Sequence, residues 1–164
     1  MPSFLDLRSE LAAEFGDSYG SGPLGAKIWF VVHHWAADPP EGTSPRDLSR
    51  MTARYHTQTK RWPGHGYQFE IAPDGTIMYT GSVESIRANV AGLNHGVIGA
   101  SLVGNMSQHP PTDAQIASLR WLRYESGLIP PLEVVGHGDI ALPGNGTTCP
   151  GTTWPQWKSA VLLA

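Results

Sequence analysis

Short apolar runs alternate with amphipathic segments along the chain. Four runs are rich in the β-branched and aromatic residues that favour strands: "KIWFVVHH", "YQFEIAPDGTIMYTG", "VIGASLVG" and "LEVVGH", at 27–34, 67–81, 97–104 and 132–137. The second run contains Pro-Asp-Gly at 73–75, which predicts a hairpin turn. Because strands alternate with helices, the pattern predicts an α/β fold with a single central mixed β-sheet flanked by helices.

Four predicted helix starts carry the capping-box pattern, in which an N-cap hydroxyl and an acid or amide three residues later bond free backbone N–H groups. The pairs are Ser3 with Asp6, Ser44 with Asp47, Thr112 with Gln115, and Thr153 with Gln156. After the first, Phe4, Leu7, Leu11 and Phe15 follow at helical spacing. Gly16 then predicts the end of that helix.

The composition indicates one folded domain with many loops. The chain has 164 residues, of which 40% are hydrophobic and 15% charged, with 19 glycines and 14 prolines. The formal net charge is -3 and no basic block occurs, so a nucleic-acid partner is not expected. No run of about 18 apolar residues is present, so no membrane insertion is expected. The first residues lack the basic and apolar regions of a signal peptide.

Three side chains that bind borderline metals stand at or after predicted strands. His33 ends the first strand, His137 ends the last, and Cys149, the single cysteine, follows twelve residues later. Two histidines and one cysteine form a common ligand set for catalytic zinc, with a fourth position left for water. Strand alternation places His33 and His34 on opposite faces, so only one of them can point into a given site. Spacing alone does not distinguish such a metal site from chance placement.

The order of several motifs resembles the zinc-dependent N-acetylmuramoyl-L-alanine amidases, the type 2 amidases, which share their fold with peptidoglycan recognition proteins and phage amidase lysozymes. The motifs are "FVVHHWA", "GHGYQFEIAPDGTI", "GVIGASLVGN", "PTDAQIASLRWL", and "VVGHGDI" with "TTCPG". The resemblance implies a zinc amidase domain over 27–164, preceded by an N-terminal helix and connecting segment over 1–26. It also implies a peptidoglycan or muropeptide substrate, cut at the amide between N-acetylmuramic acid and L-alanine.

Carried over position by position, the resemblance places Zn²⁺ ligands at His33, His137 and Cys149. The first histidine of the adjacent pair is therefore the expected ligand. The same comparison places catalytic roles at Tyr67 and Thr147. Tyr67 is expected to orient water, shuttle its proton or stabilise charge, and Thr147 to donate a hydrogen bond to the oxyanion. Some family members have lysine at the position of Thr147, which leaves the path of the proton open.

Six side chains in loops beside the ligand segments suit sugar and peptide binding, although each can instead be structural. They are His34, Trp35, Trp62, His65, Asn94 and His95. Asp139 lies two residues after His137. Its carboxylate either accepts a hydrogen bond from a ligand histidine or is an ordinary acidic residue of a turn. Trp121, Trp154 and Trp157 are expected in the core.

Two other functions remain compatible with the sequence. The first is a cysteine hydrolase with Cys149 as nucleophile and His137 as base, which leaves His33 without a role. The second is a non-catalytic peptidoglycan-binding module of the same fold, although such modules usually lack the cysteine ligand. A compact amidase without a signal peptide resembles a phage endolysin, made in the host cytoplasm and acting on the wall after release. A recycling amidase or a piece of a longer lysin is also compatible, and a monomer is expected.

Overall fold

A six-stranded mixed sheet forms the centre of the molecule, with strand order β1-β4-β3-β5-β2-β6. The computed structural model describes residues 1–162. All neighbouring strands are parallel except the hairpin β3–β4. The single mixed sheet predicted from the sequence is thereby confirmed. The strands are β1 Phe4–Asp6, β2 Trp29–His34, β3 Phe69–Ile71, β4 Ile77–Tyr79, β5 Val97–Leu102 and β6 Glu133–Gly136.

Helices cover both faces of the sheet. They are α1 Arg8–Phe15, α2 Pro45–Arg54, α3 Asp113–Tyr124, α4 His137–Ile140 and α5 Trp154–Leu162. A π-helical turn, Tyr55–Thr59, extends α2, and two 3-10 turns lie at Leu24–Ala26 and Asn94–Gly96. None of the helices within residues 1–162 has both the length and the apolar character needed to span a bilayer.

Alternation along β2 divides its side chains between the two faces. Phe30 and Val32 are fully buried in the larger apolar core with α3 and α5. His33 shares the opposite face with Val31 and is 1% exposed. On that face, α1 and α2 pack against the hairpin through a second apolar cluster that includes Leu11 and Leu48. The two adjacent histidines therefore point to different sides, as the alternation predicts.

Three of the four predicted capping pairs stand at helix starts, and the pair at α3 forms the full reciprocal box. Ser44 Oγ accepts from the backbone N–H of Asp47 at 3.2 Å, with a proline at the first helical position. At the start of α3, Thr112 Oγ1 accepts from Gln115 N, and Gln115 Oε1 accepts from Thr112 N, both at 3.1 Å. The reciprocal pair satisfies two backbone donors that the first turn leaves free.

We expect Thr112→Ala to lower the free energy of unfolding by about 1 kcal/mol. The change removes the acceptor for Gln115 N and the bond from Thr112 Oγ1 to the carbonyl oxygen of Pro73, 2.7 Å away. Urea denaturation measures the difference, with Thr148→Ala at an exposed threonine as the control. Equal stability of the two variants would contradict a stabilising role for this cap.

The first predicted helix start, at Ser3, is wrong. Residues Phe4–Asp6 form edge strand β1, and α1 begins only at Arg8. Backbone hydrogen bonds to β4 replace the first helical turn, because Ile77 N donates to Ser3 O and Leu7 N donates to Tyr79 O. Of the predicted apolar residues, Leu7 and Leu11 are buried, Phe15 packs partly against them, and Phe4 is exposed. Gly16, with φ of 82°, ends α1 as expected. Helix α5 does begin directly after Thr153, as predicted. The Thr153 hydroxyl, however, donates to the distant Met106 O and accepts from Trp157 Nε1 within the helix, in place of the capping-box bonds.

Candidate metal centre and adjoining pocket

The parallel strands β2 and β6 bring two histidines to the same edge of the sheet. His33 lies near the end of β2, and Val32 of β2 pairs with Gly136, the last residue of β6. His137 follows immediately as the first residue of α4. Because carboxyl ends of neighbouring parallel strands meet at one edge, the two imidazoles face each other with ring centroids 4.9 Å apart.

Cys149 reaches this edge on a loop that runs close along α4. Gly138 N donates to the carbonyl oxygen of Cys149 at 2.7 Å. A Cβ atom at Gly138 would collide with the carbonyl oxygen of Thr147. The close approach of the two segments therefore requires glycine after His137.

The three predicted ligands form one cluster. One donor atom from each of His33, His137 and Cys149 lies within 4.8 Å of the other two. His33 Nδ1 is 3.8 Å from Cys149 Sγ, so Nδ1 is the nitrogen that faces the cluster. Among residues 1–162, this is the group of histidine, cysteine or acidic side chains with the geometry of a metal site.

Burial sets the protonation of the cluster. It lowers the pKa of His33 well below the ordinary value, with further contributions from His137, His34 and His56, and it also lowers the pKa of His137. Both imidazoles are therefore neutral at pH 7, the form that binds metal ions. Burial raises the pKa of the Cys149 thiol to about 12.

The donor set fits zinc. Zinc accepts imidazole nitrogen at about 2.0–2.1 Å and thiolate sulfur at about 2.3 Å, so tetrahedral ligand atoms lie roughly 3.3–3.7 Å apart. The separations observed here need to shorten by about 1.5 Å at most. The other ring nitrogen of His33, Nε2, is buried and has no hydrogen-bond partner within residues 1–162, so no hydrogen bond at Nε2 competes with a metal ion for the orientation of the ring.

Tyr67 and Thr147, the two predicted catalytic residues, flank the cluster. The Tyr67 ring lies 4.7 Å from the His33 ring and 5.2 Å from the His56 ring, centroid to centroid. Burial, with smaller effects from Cys149 and Glu70, raises the pKa of Tyr67, so its hydroxyl remains protonated at neutral pH. Thr147 is exposed, and its hydroxyl oxygen accepts from Cys149 N at 3.1 Å. Its own proton is therefore available to another acceptor.

An apolar pocket of about 390 Å³ opens beside Tyr67. Two predicted binding residues, His34 and Trp35, line it. The sequence interpretation did not identify most of the others, which come from α2, its π-helical extension and the loop after β2. The lining is His34, Trp35, Ala36, Ala37, Met51, Thr52, Tyr55, His56 and Tyr67, without an acidic or strongly basic side chain.

The other four predicted binding residues lie in different surroundings. Trp62 packs on His56 at 4.6 Å between ring centroids. His65 is 2% exposed and lies in the interior. Asn94 Oδ1 accepts from two backbone N–H groups, those of Asn89 and Val90, and so stabilises a turn. His95 is exposed and does not line the pocket.

Asp139 acts as a structural acid. Its Oδ2 accepts from Gly136 N at 2.9 Å, from Trp154 Nε1 at 2.9 Å and from Lys158 Nζ at 3.0 Å. These bonds join the start of α4 to α5. Asp139 thus holds the backbone next to His137, and its hydrogen bonds go to these groups instead of to a ligand imidazole. Both Trp154 and Trp157 lie in the core, as expected.

The sequence interpretation missed two buried groups beside the site. Glu70 is 0% exposed and accepts from Trp35 Nε1, Ser49 Oγ, Thr52 Oγ1 and His65 Nε2 at 2.7–3.1 Å. Burial opposes its charge, but His65 foremost, with the hydroxyls of Thr52 and Ser49, more than offsets that effect and holds the pKa of Glu70 below the usual value. An acidic residue inside the apolar run "YQFEI" was the available signal.

His56 is the second missed group. It lies in the π-helical turn, and such turns are frequent at functional sites. Its Nδ1 accepts from Gly66 N at 2.9 Å, and burial lowers its pKa to about 3, so the ring is neutral. The loop that carries Tyr67 is therefore tied to the end of α2.

Comparison with known proteins identifies the family and the fold of the chain. The family Amidase_2, described as N-acetylmuramoyl-L-alanine amidase, matches residues 24–152. A human N-acetylmuramoyl-L-alanine amidase is 28% identical over 153 residues, which cover 85% of this chain and 26% of the human protein. The chain thus spans about a quarter of that relative.

Two solved structures show the same fold. Peptidoglycan recognition protein-LE, solved in complex with tracheal cytotoxin, a monomeric diaminopimelic acid-type peptidoglycan, superposes with a TM-score of 0.81 at 22% identity. The match covers 96% of this chain and 93% of the other. The Ph2119 endolysin, from a bacteriophage of Thermus scotoductus, gives a TM-score of 0.72 at 22% identity over 96% and 98% of the two chains.

Proposed function

This chain belongs to the N-acetylmuramoyl-L-alanine amidase family, and we propose that it is a zinc-dependent amidase. The proposed reaction is hydrolysis of the amide between N-acetylmuramic acid and L-alanine in peptidoglycan or muropeptides. The observation that carries the proposal is the cluster of His33, His137 and Cys149 donor atoms within 4.8 Å of one another, with the Tyr67 ring against His33.

Each group of the site has a role in this reaction. His33, His137 and Cys149 would hold Zn²⁺, which when bound supplies Lewis-acid polarisation of the carbonyl and a water of lowered pKa. The Thr147 hydroxyl, which already accepts from Cys149 N, donates its proton in a hydrogen bond to the carbonyl oxygen as negative charge develops there. Tyr67 keeps its phenolic proton, so it orients the attacking water and stabilises charge as a hydrogen-bond donor.

The pocket beside Tyr67 would bind an uncharged part of the substrate. Its lining has no carboxylate, ammonium or guanidinium group to pair with an ion. Trp35 and Tyr55 provide aromatic surface, which suits the apolar faces of a sugar ring. We assign the muramic acid side of the scissile bond to this pocket.

The cysteine-hydrolase alternative is less well supported. Nucleophilic cysteines have lowered pKa values, whereas burial raises the pKa of Cys149. That alternative also leaves the buried His33, the nearest hydrogen-bond partner of Cys149 Sγ, without a function. The non-catalytic module of the same fold remains the second candidate, supported by the peptidoglycan-bound recognition protein with this fold.

We propose further that the protein acts on the bacterial cell wall as a phage endolysin. The similarity in fold to an endolysin supports this setting. A role as a monomer, release from the host cytoplasm and killing of bacteria all belong to the same proposal.

The test is hydrolysis of purified peptidoglycan with zinc, with a chelator, and with zinc restored after chelation. We expect new L-alanine amino termini, no new reducing sugar ends, loss of activity with the chelator and recovery with zinc. Mass spectrometry of the fragments identifies the bond that is cut. Hydrolysis that persists in excess chelator would exclude the zinc mechanism, and wall binding without any product would favour the recognition module.

A further inference from the structure

The carboxylate of Glu70 has every acceptor position occupied. Oε1 accepts from Trp35 Nε1 and Thr52 Oγ1, and Oε2 accepts from Ser49 Oγ and His65 Nε2. A carboxylate offers about four lone-pair sites, so the set is complete. The four donors come from the loop after β2, from α2 and from the loop before β3. Glu70 therefore joins three segments under the floor of the pocket.

One of these donors links Glu70 to Tyr67. His65 Nδ1 accepts from the backbone N–H of Tyr67 at 3.2 Å, and His65 Nε2 lies 3.0 Å from Glu70 Oε2. A neutral imidazole has one donor and one acceptor nitrogen. Since Nδ1 accepts, the ring proton is on Nε2, where Glu70 accepts it. The carboxylate thus selects the tautomer that can hold Tyr67.

The backbone of Tyr67 is fixed on both sides. His65 takes its N–H, and Thr80 Oγ1 donates to its carbonyl oxygen at 2.9 Å. Glu70 itself is anchored in the sheet, where it pairs in register with Ser101, which pairs in turn with His33. The sheet therefore fixes the position of Glu70 relative to the proposed ligand His33.

We infer that Glu70 and His65 form a positioning pair that sets the place of Tyr67 relative to the metal cluster. The inference rests on the proposed amidase function, in which Tyr67 contacts the reacting water. Displacement of a reacting group by about 1 Å can lower a rate by about a hundredfold, so the pair affects turnover without touching the substrate.

Two buried variants separate positioning from general stability. His65→Leu and Ser49→Ala each leave Glu70 with three of its four donors, but only His65→Leu removes the link to Tyr67. We expect His65→Leu to lower kcat by about tenfold or more, with KM and zinc content changed less than about twofold. Ser49→Ala is expected to keep kcat within about twofold of the original protein. Equal losses in the two variants, or an unchanged kcat in His65→Leu, would overturn the inference.

Nuclear magnetic resonance tests the pair independently of activity. In the unsubstituted protein, the ¹⁵N signals of His65 should show a protonated Nε2 and an unprotonated Nδ1. Hydrogen exchange of the Tyr67 amide should accelerate in His65→Leu and stay slow in Ser49→Ala. A proton on Nδ1 would refute the inference even if His65→Leu does not fold. If the protein releases no L-alanine termini, the proposed function fails, while these two readouts still decide whether the pair holds Tyr67.

Discussion

Cys149→Ala is expected to abolish the binding of one equivalent of zinc and to lower amide hydrolysis by on the order of a thousandfold or more. The variant leaves two imidazoles where three donor atoms now lie within 4.8 Å. Two neutral ligands neither complete the site nor supply the thiolate charge that stabilises bound zinc. Metal analysis after dialysis and the rate of release of L-alanine termini measure the two effects.

The control for this variant is Asn145→Ala, an exposed position in the same loop. It should retain zinc and activity, because only the loop surface changes. Circular dichroism and thermal unfolding should show that Cys149→Ala is folded. Retention of a full equivalent of zinc by Cys149→Ala would remove the cysteine from the ligand set, and retention of activity would exclude it from the reaction as well.

Arg87→Met is expected to lower the free energy of unfolding by about 3 kcal/mol. The Arg87 side chain is 1% exposed and pairs with Asp17. It also donates to Ser85 Oγ and to the carbonyl oxygen of His65. Methionine fills part of the volume but leaves a partly buried carboxylate and a buried carbonyl without their donor. Urea denaturation gives the difference in free energy.

Arg50→Met is the matched comparison. Arg50 also pairs with acidic side chains, those of Glu10, Glu14 and Asp47, but its side chain is 38% exposed. Solvent screens such pairs, so a loss below about 1 kcal/mol is expected. If both arginine variants unfold at the same urea concentration, the burial of Arg87 does not increase the contribution of its ion pair to the free energy of unfolding.

The grouping of His33, His137 and Cys149 was expected from the order of motifs that resembles the amidases, because spacing alone did not distinguish it from chance placement. Each of the two histidines stands at the end of an apolar strand. They meet because those strands, β2 and β6, are parallel neighbours. The hairpin over 67–81 could be predicted from neighbouring residues alone, since a Pro-Asp-Gly turn joins β3 to β4.

The sequence could not predict features that depend on distant partners. Strand β1 has three residues, and its apolar residues also fit a helix, so only its pairing with β4 decides its structure. Thr153 carries a capping pattern, but its hydroxyl bonds the carbonyl of Met106, 47 residues away in sequence. Glu70 was visible as an acid in an apolar run, whereas its four donors lie in segments that only the fold brings together.

The first strand has a practical consequence for anyone who shortens this protein. Residues Phe4–Asp6 cover the outer edge of β4, and Leu7 and Leu11 cover the buried Met78 beside it. A version cut just before the first ligand strand would keep every proposed ligand but would leave the backbone of β4 without a partner. Unpaired strand edges next to apolar surface pair between molecules. Such a fragment would contain all the proposed ligands, but we expect it to aggregate in solution.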